Sequence, residues 1–336
     1  GPYTQATDAK SGEIYDTKIV KGQLTTETPK VTVQPGESVD VSFTLTLPYS
    51  FQRQNFVEGY VGFEAEDQAT PNLVLPYMGF FGSYSQASVS APMLYEGGNS
   101  NLINTIQSLV GVMASNNDDI LGSTGYEGDD YSKYTDPDLI AISPNGDGSR
   151  DYAYPVLFFD RNYKEYTETI TDAQGNKVKS LGAGKEGTKD YYSSSSGKWT
   201  THSLDKWDGT DADGQVVKDG QYIYKAEFTP ATGGSKQELN IPVKVDTQAP
   251  EVSDLQVTKD GKLRLKAKDT GSGLDETMFV AAVNGEKQKL ALAPVKGESD
   301  VYESTTALTG LKDGKNQVET VLADYAGNVG YAATFS

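Results

Sequence analysis

The sequence predicts an all-β protein built as three tandem β-sandwiches. Three observations carry that expectation. Apolar and polar residues alternate with period two, most clearly in Val39-Asp40-Val41-Ser42-Phe43-Thr44-Leu45-Thr46-Leu47 and in Gln221-Tyr222-Ile223-Tyr224-Lys225-Ala226-Glu227-Phe228, and such alternation buries one face of a strand. Gly, Asp and Asn interrupt these runs at short intervals, as turn residues do. The chain of 336 residues exceeds one small core and fits domains of about 100–150 residues.

Composition narrows the function classes. Net charge is −18 with a single histidine, His202, which disfavours nucleic-acid binding, since phosphate contacts need clustered Lys and Arg. An acidic surface instead keeps a protein soluble and suits divalent cations. There is no cysteine, so disulfide scaffolds, zinc–thiolate sites and thiol catalysis are excluded together. No run approaches the roughly 20 apolar residues of a membrane span. Gly1-Pro2 resembles a tag-cleavage scar and neither signal peptide nor sorting tail is read, so an excised piece of a longer protein is expected.

The first unit is expected over residues 1–137. Residues 31–33 and 39–47 alternate across Pro35-Gly36-Glu37-Ser38 and predict a hairpin; residues 59–65 and 72–77 predict two more strands. Beyond Gly82 the pattern weakens for about fifty residues. Only residues 101–112 predict a short helix, with Leu102, Ile106 and Leu109 on one face. This stretch is expected as a long irregular extension over the first sandwich.

The second unit, residues 138–246, carries predicted strands at 152–159, 166–171, 177–181, 221–228 and 239–245, with a Ser/Gly/Lys-rich loop tract at 182–197. Short strands at near-regular spacing with Gly/Asp turns point to an immunoglobulin-like sandwich. Asp246-Thr247-Gln248-Ala249-Pro250 closes it, because proline stops a ladder. The third unit, residues 247–336, repeats the logic with strands at 262–268, 279–283, 316–322 and 331–335.

Candidate sites follow from oxygen-rich turns and aromatic residues. Ser143-Pro144-Asn145-Gly146-Asp147-Gly148-Ser149-Arg150-Asp151 sets Asn145, Asp147 and Asp151 beside two glycines. They form either a calcium site resembling half an EF-hand loop or a turn whose side chains bond nearby N–H groups. Tyr154 stands where such a loop has its last acidic ligand. Asp208, Asp211 and Asp213 are a second candidate metal cluster, or ordinary hairpin turns. Trp207 is expected in the core. Trp199, Tyr191 and Tyr192, beside the Ser193–Gly197 tract, are candidate ligand contacts or parts of a solvated loop. His202 has no glycine-rich elbow or oxyanion-hole sequence near it, and no catalytic residue is assigned. Surface β-domains sometimes carry Lys–Asn isopeptide crosslinks, but the sequence singles out no pair.

Three motif groups in order carry a family resemblance. Val57-Glu58-Gly59-Tyr60-Val61-Gly62-Phe63 with Leu75-Pro76-Tyr77-Met78-Gly79-Phe80-Phe81-Gly82 comes first. The 143–151 run with Lys206-Trp207-Asp208-Gly209 and Asp219-Gly220-Gln221-Tyr222-Ile223-Tyr224 follows. Val245-Asp246-Thr247-Gln248-Ala249-Pro250 and Ala323-Asp324-Tyr325-Ala326-Gly327-Asn328 complete the set. Together they resemble the fibronectin type III-like domains that follow the catalytic domain in cell-envelope subtilisin-like proteinases, both the lactocepin type and the streptococcal complement anaphylatoxin peptidase. One departure is Ser83-Tyr84, where the family usually has an acidic residue after the glycine.

The resemblance implies a non-catalytic scaffold and exosite region of a secreted serine endopeptidase, anchored at the cell wall of a Gram-positive bacterium. Implied partners are the catalytic and protease-associated domains of the same chain and large protein substrates or host proteins; a monomer is expected, with calcium as the candidate cofactor. Two alternatives stay open. An adhesin would bind host surfaces through loops of the second domain, although no Arg-Gly-Asp occurs. A carbohydrate-binding module would need exposed aromatic residues on one face.

Overall fold

The computed structural model describes residues 3–7, 14–83 and 87–336; Tyr84 lies outside them. Strands account for 42% of the chain and helices for 7%, so the protein is all-β. It divides into two compact units, Gly1–Ala87 with Thr232–Ser235, and Ser88–Ala231 with Lys236–Ser336.

The first unit holds a four-stranded sheet in the order Ile14–Lys18, Tyr3–Thr7, Asn55–Phe63, Leu73–Phe81. The last two pair from Asn55 opposite Phe81 to Phe63 opposite Leu73, longer than the alternation predicts. Gly59 lies opposite Tyr77, and a Cβ there would run into the tyrosine ring. The hairpin expected across Pro35–Ser38 forms only its turn, with Glu37 N–H donating to the Gln34 carbonyl. Val33, Val39 and Phe43 are exposed, so their alternation has no covering layer to reward it. Only Thr44–Thr46 finds a ladder partner, in Gln23–Thr25.

In the second unit, one sheet runs Lys177–Gly187, Tyr163–Asp172, Gly220–Pro230, Gln237–Val245, Ala141–Ile142, the last pair parallel. A facing sheet runs His202–Ser203, Tyr154–Leu157, Val112–Ala114. Between them lies one core that includes Phe159, Trp207, Tyr224 and Ile241, each 1% exposed or less.

The expected boundary at residue 137 is therefore displaced. Val89, Met93, Met113 and Leu121 enter this second core, and Val112–Ala114 supplies an edge strand to its sheet. The stretch expected to cover the first sandwich is a built part of the next one. Its helix is also shorter than predicted, Ser100–Ile106. Gln107 takes φ 54° and its N–H caps the Ile103 carbonyl, which ends the helix and frees Val112 for the strand. Hydrophobic period alone did not register that left-handed stop.

Lys177–Gly187 also runs deep into the tract expected as a loop. Gly184 and Gly187 pair with Tyr166 and Tyr163, and each tyrosine ring occupies the space a Cβ would need. The glycines are there to receive the rings, an aromatic cover over strand glycine.

The third sandwich pairs Glu251–Val257, Leu263–Lys268, Val301–Ser304 and Leu292–Pro294 in one sheet and Glu286–Lys289, Val280–Val283, Gln317–Ala323 and Val329–Phe335 in the other. Its separate core includes Leu263, Leu265, Phe279, Val318 and Leu322.

Candidate functional site

The 143–151 run folds as a tight loop between Ala141–Ile142 and Tyr154–Leu157, with Gly146 and Gly148 at φ 75° and 87°, which only glycine adopts cheaply. Its oxygens turn inward on the loop. Asp151 Oδ1 accepts from Gly146 N–H at 2.7 Å and Oδ2 from Gly148 N–H at 2.9 Å. Asp147 Oδ1 accepts from Ser149 N–H, and its Oδ2 from Asn145 Nδ2, while Asn145 Oδ1 accepts from Asp147 N–H. Asn116 Nδ2 adds a third donor to Asp151. These side-chain-to-backbone bonds order the loop and fix the residue that follows Ser149.

That residue, Arg150, is the one sequence reasoning missed. It is 4% exposed, and its guanidinium reaches into the third sandwich. Nη1 lies 3.1 Å from Asp275 Oδ2 and donates to the Tyr325 carbonyl at 2.7 Å; Nε donates to Asp119 Oδ2 at 2.7 Å. Asp275 spends its other oxygen capping Thr277. Burial works against the arginine charge, and Asp119 and Asp275 more than offset it, leaving the group more firmly protonated than usual. The signal available in the sequence was a lone cation inside an acidic, glycine-rich run.

The second candidate cluster is likewise engaged in turns. Asp208 Oδ1 accepts from Thr210 N–H and hydroxyl, and Asp211 Oδ1 accepts from Asp213 N–H and Gln215 N–H. Trp207 is fully buried, as expected, with Nε1 donating to the Thr210 carbonyl. Trp199, one of the candidate ligand contacts, is half-buried against Phe158 and Tyr192. Lys198–Trp199 pairs with Tyr192–Ser193, which draws its ring onto the satellite core around Ile103 and Phe158. Tyr192 is half-buried too, and Tyr191 is 55% exposed. His202 stacks on Phe159 at 4.2 Å with Nδ1 2.9 Å from buried Asp190, and Asp190 also accepts from Phe159 N–H and the Thr200 hydroxyl.

An Fn3-like domain model matches residues 1–78. The PI-type proteinase of Lactococcus lactis subsp. cremoris is 31% identical over 97% of this chain and 18% of its own length. The chain is kin to the Fn3-like part of these proteinases. The C5a peptidase of Streptococcus pyogenes serotype M1 is 27% identical over 79% of the chain and 28% of its length. The chain thus spans less than a third of these curated relatives. Among solved structures, the fibronectin(III)-like modules of Clostridium thermocellum CbhA align at TM-score 0.28 and 12% identity, over 58% of this chain and 87% of that one.

Proposed function

We propose that this chain is a non-catalytic scaffold and exosite region of a cell-envelope, subtilisin-like proteinase, holding the catalytic domain clear of a Gram-positive cell wall and helping to select large protein substrates. The observation that carries the reading is the alignment of nearly the whole chain to under a fifth of a proteinase. The geometry supports a spacer that transmits orientation. The second and third sandwiches meet through the five-residue Asp246–Pro250 segment and the Arg150 clamp, whereas a Gly/Ser linker would leave them free to swing.

The test is to delete residues 88–336 from the full-length parent and compare turnover of an intact protein substrate with that of a short peptide. Loss on the protein substrate with the peptide rate retained supports the reading. Unchanged turnover of both overturns it.

A further inference from the structure

Where the second sandwich hands over to the third, three carboxylates far apart in sequence converge. Asp246 follows Gln237–Val245, Asp269 follows Leu263–Lys268, and Asp324 follows Gln317–Ala323. One oxygen of each lies within 4.8 Å of the others. Asp246 and Asp324 are 1% and 0% exposed, and Asp269 is half-buried. Crowding three carboxylates out of water is strongly unfavourable without a counter-charge.

Their hydrogen bonds use only part of their capacity. Asp246 accepts from Gln248 N–H and from the N–H and hydroxyl of Ser272. Asp269 Oδ2 accepts from Gly271 and Gly273 N–H groups, and Asp324 accepts from the backbone N–H and Nδ2 of Asn328. Every donor is neutral, and among the described residues no ion pair reaches any of the three. Lys244 tempers the charge of Asp269 from a distance without pairing with it.

A second observation is independent of the carboxylates. The hydroxyl of Ser143, a residue 1% exposed, has no hydrogen-bond partner, a condition that buried polar groups rarely tolerate. The parallel ladder pairs Ala141 with Lys244 and Ile142 with Val245, and Asp246 N–H donates to the Ile142 carbonyl. That register sets Ser143 beside Asp246. Ile142 and Val245 face the core, so by alternation Ser143 and Asp246 share the opposite side, the one the third sandwich covers.

We propose that Asp246, Asp269 and Asp324, together with the Ser143 hydroxyl, bind a calcium ion that joins the second sandwich to the third. All four donors are hard oxygens, without nitrogen or sulfur, which selects an alkaline-earth ion over zinc or copper. Calcium accepts irregular sets of six to eight oxygens, whereas magnesium demands a near-octahedral cage. The proposal places the cation apart from Asn145, Asp147 and Asp151, of which Asn145 and Asp147 are exposed.

The experiment is calorimetric titration of calcium chloride into the chelator-stripped 336-residue chain, with melting curves over the same concentrations. One site and a melting temperature that climbs with the logarithm of calcium are expected. Asp269→Asn, at the half-buried member of the set, should weaken binding at least tenfold in a folded chain, while Asp147→Ala leaves it unchanged. Should the Asp269 variant misfold, Ser143→Ala should lower the affinity instead. No heat and no thermal shift at millimolar calcium, equal binding of magnesium, or loss with Asp147→Ala but not Asp269→Asn would each overturn the assignment.

Discussion

Arg150 Nη1 lies 3.1 Å from Asp275 Oδ2, a charge pair 4% and 1% exposed that couples the 143–151 loop of one sandwich to the segment after Leu263–Lys268 in the next. Replacing the arginine would leave Asp275 buried and uncompensated. Arg150→Met should therefore cost about 3–5 kcal/mol in urea unfolding. Asp275→Asn keeps the cap on Thr277 and discards the charge, so the double variant should recover part of that loss; strict additivity of the two changes would show that the pair is not coupled.

Glu168 gives the protein a pH dependence of opposite sign to ordinary acid unfolding. Its carboxyl is 1% exposed, and burial, with Asp205 nearby, pushes its pKa up from 4.5 to about 7. The folded state therefore holds a proton that the unfolded chain has released. The contribution is complete below pH 4.5, declines as pH rises to about 7, and is flat beyond. The decline amounts to about 3 kcal/mol at most. Glu168→Gln, compared with the parent by denaturant melts from pH 5 to 8, should remove that slope.

Two glycines in the strand Asn55–Phe63 should respond differently to the same methyl group. Gly59→Ala drives a Cβ into the Tyr77 ring, while at Gly62 the Cβ meets nothing within 4 Å. The first should lower stability by about 1–3 kcal/mol and the second should be neutral or better. Equal melting temperatures would show that the tyrosine moves aside without cost.

A chain that begins at Ser88 should fold, and one that begins at residue 138 should not. The longer piece keeps Val89, Met93, Met113 and Leu121 in the core around Trp207; the shorter one leaves that core open and strips Tyr154–Leu157 of its neighbour Val112–Ala114. Dispersed amide resonances for the first and collapsed ones for the second are the expected spectra.

Where alternation coincided with burial, the fold was legible. Gly220–Pro230 and Gln317–Ala323 are strands whose inward residues line cores. Where it did not, as around Val33 and Val39, the pattern overstated the ladder. Partners distant in sequence were the hidden part. Nothing local tells that Met113 joins the same core as Trp207, or that Gly184 lies opposite Tyr166. The same holds at the junction: residues 143–151 were legible as an oxygen-rich turn, but its purpose lay in the arginine it aims at Asp275. Asp246, Asp269 and Asp324 stand in separate turn motifs, each unremarkable alone, and only tertiary folding brings them to one point.

The shared core also dictates an order of events during synthesis. Val89 N–H donates to Gln237 Oε1 at 2.7 Å, a closure spanning 148 residues. At about 5–20 residues per second, the ribosome needs roughly 7–30 s to deliver the far end. Throughout that interval Val89, Met93 and Met113 have no completed core to enter, so the nascent segment travels with these apolar side chains uncovered. Chaperone dependence of this polypeptide should accordingly peak before residue 245 emerges.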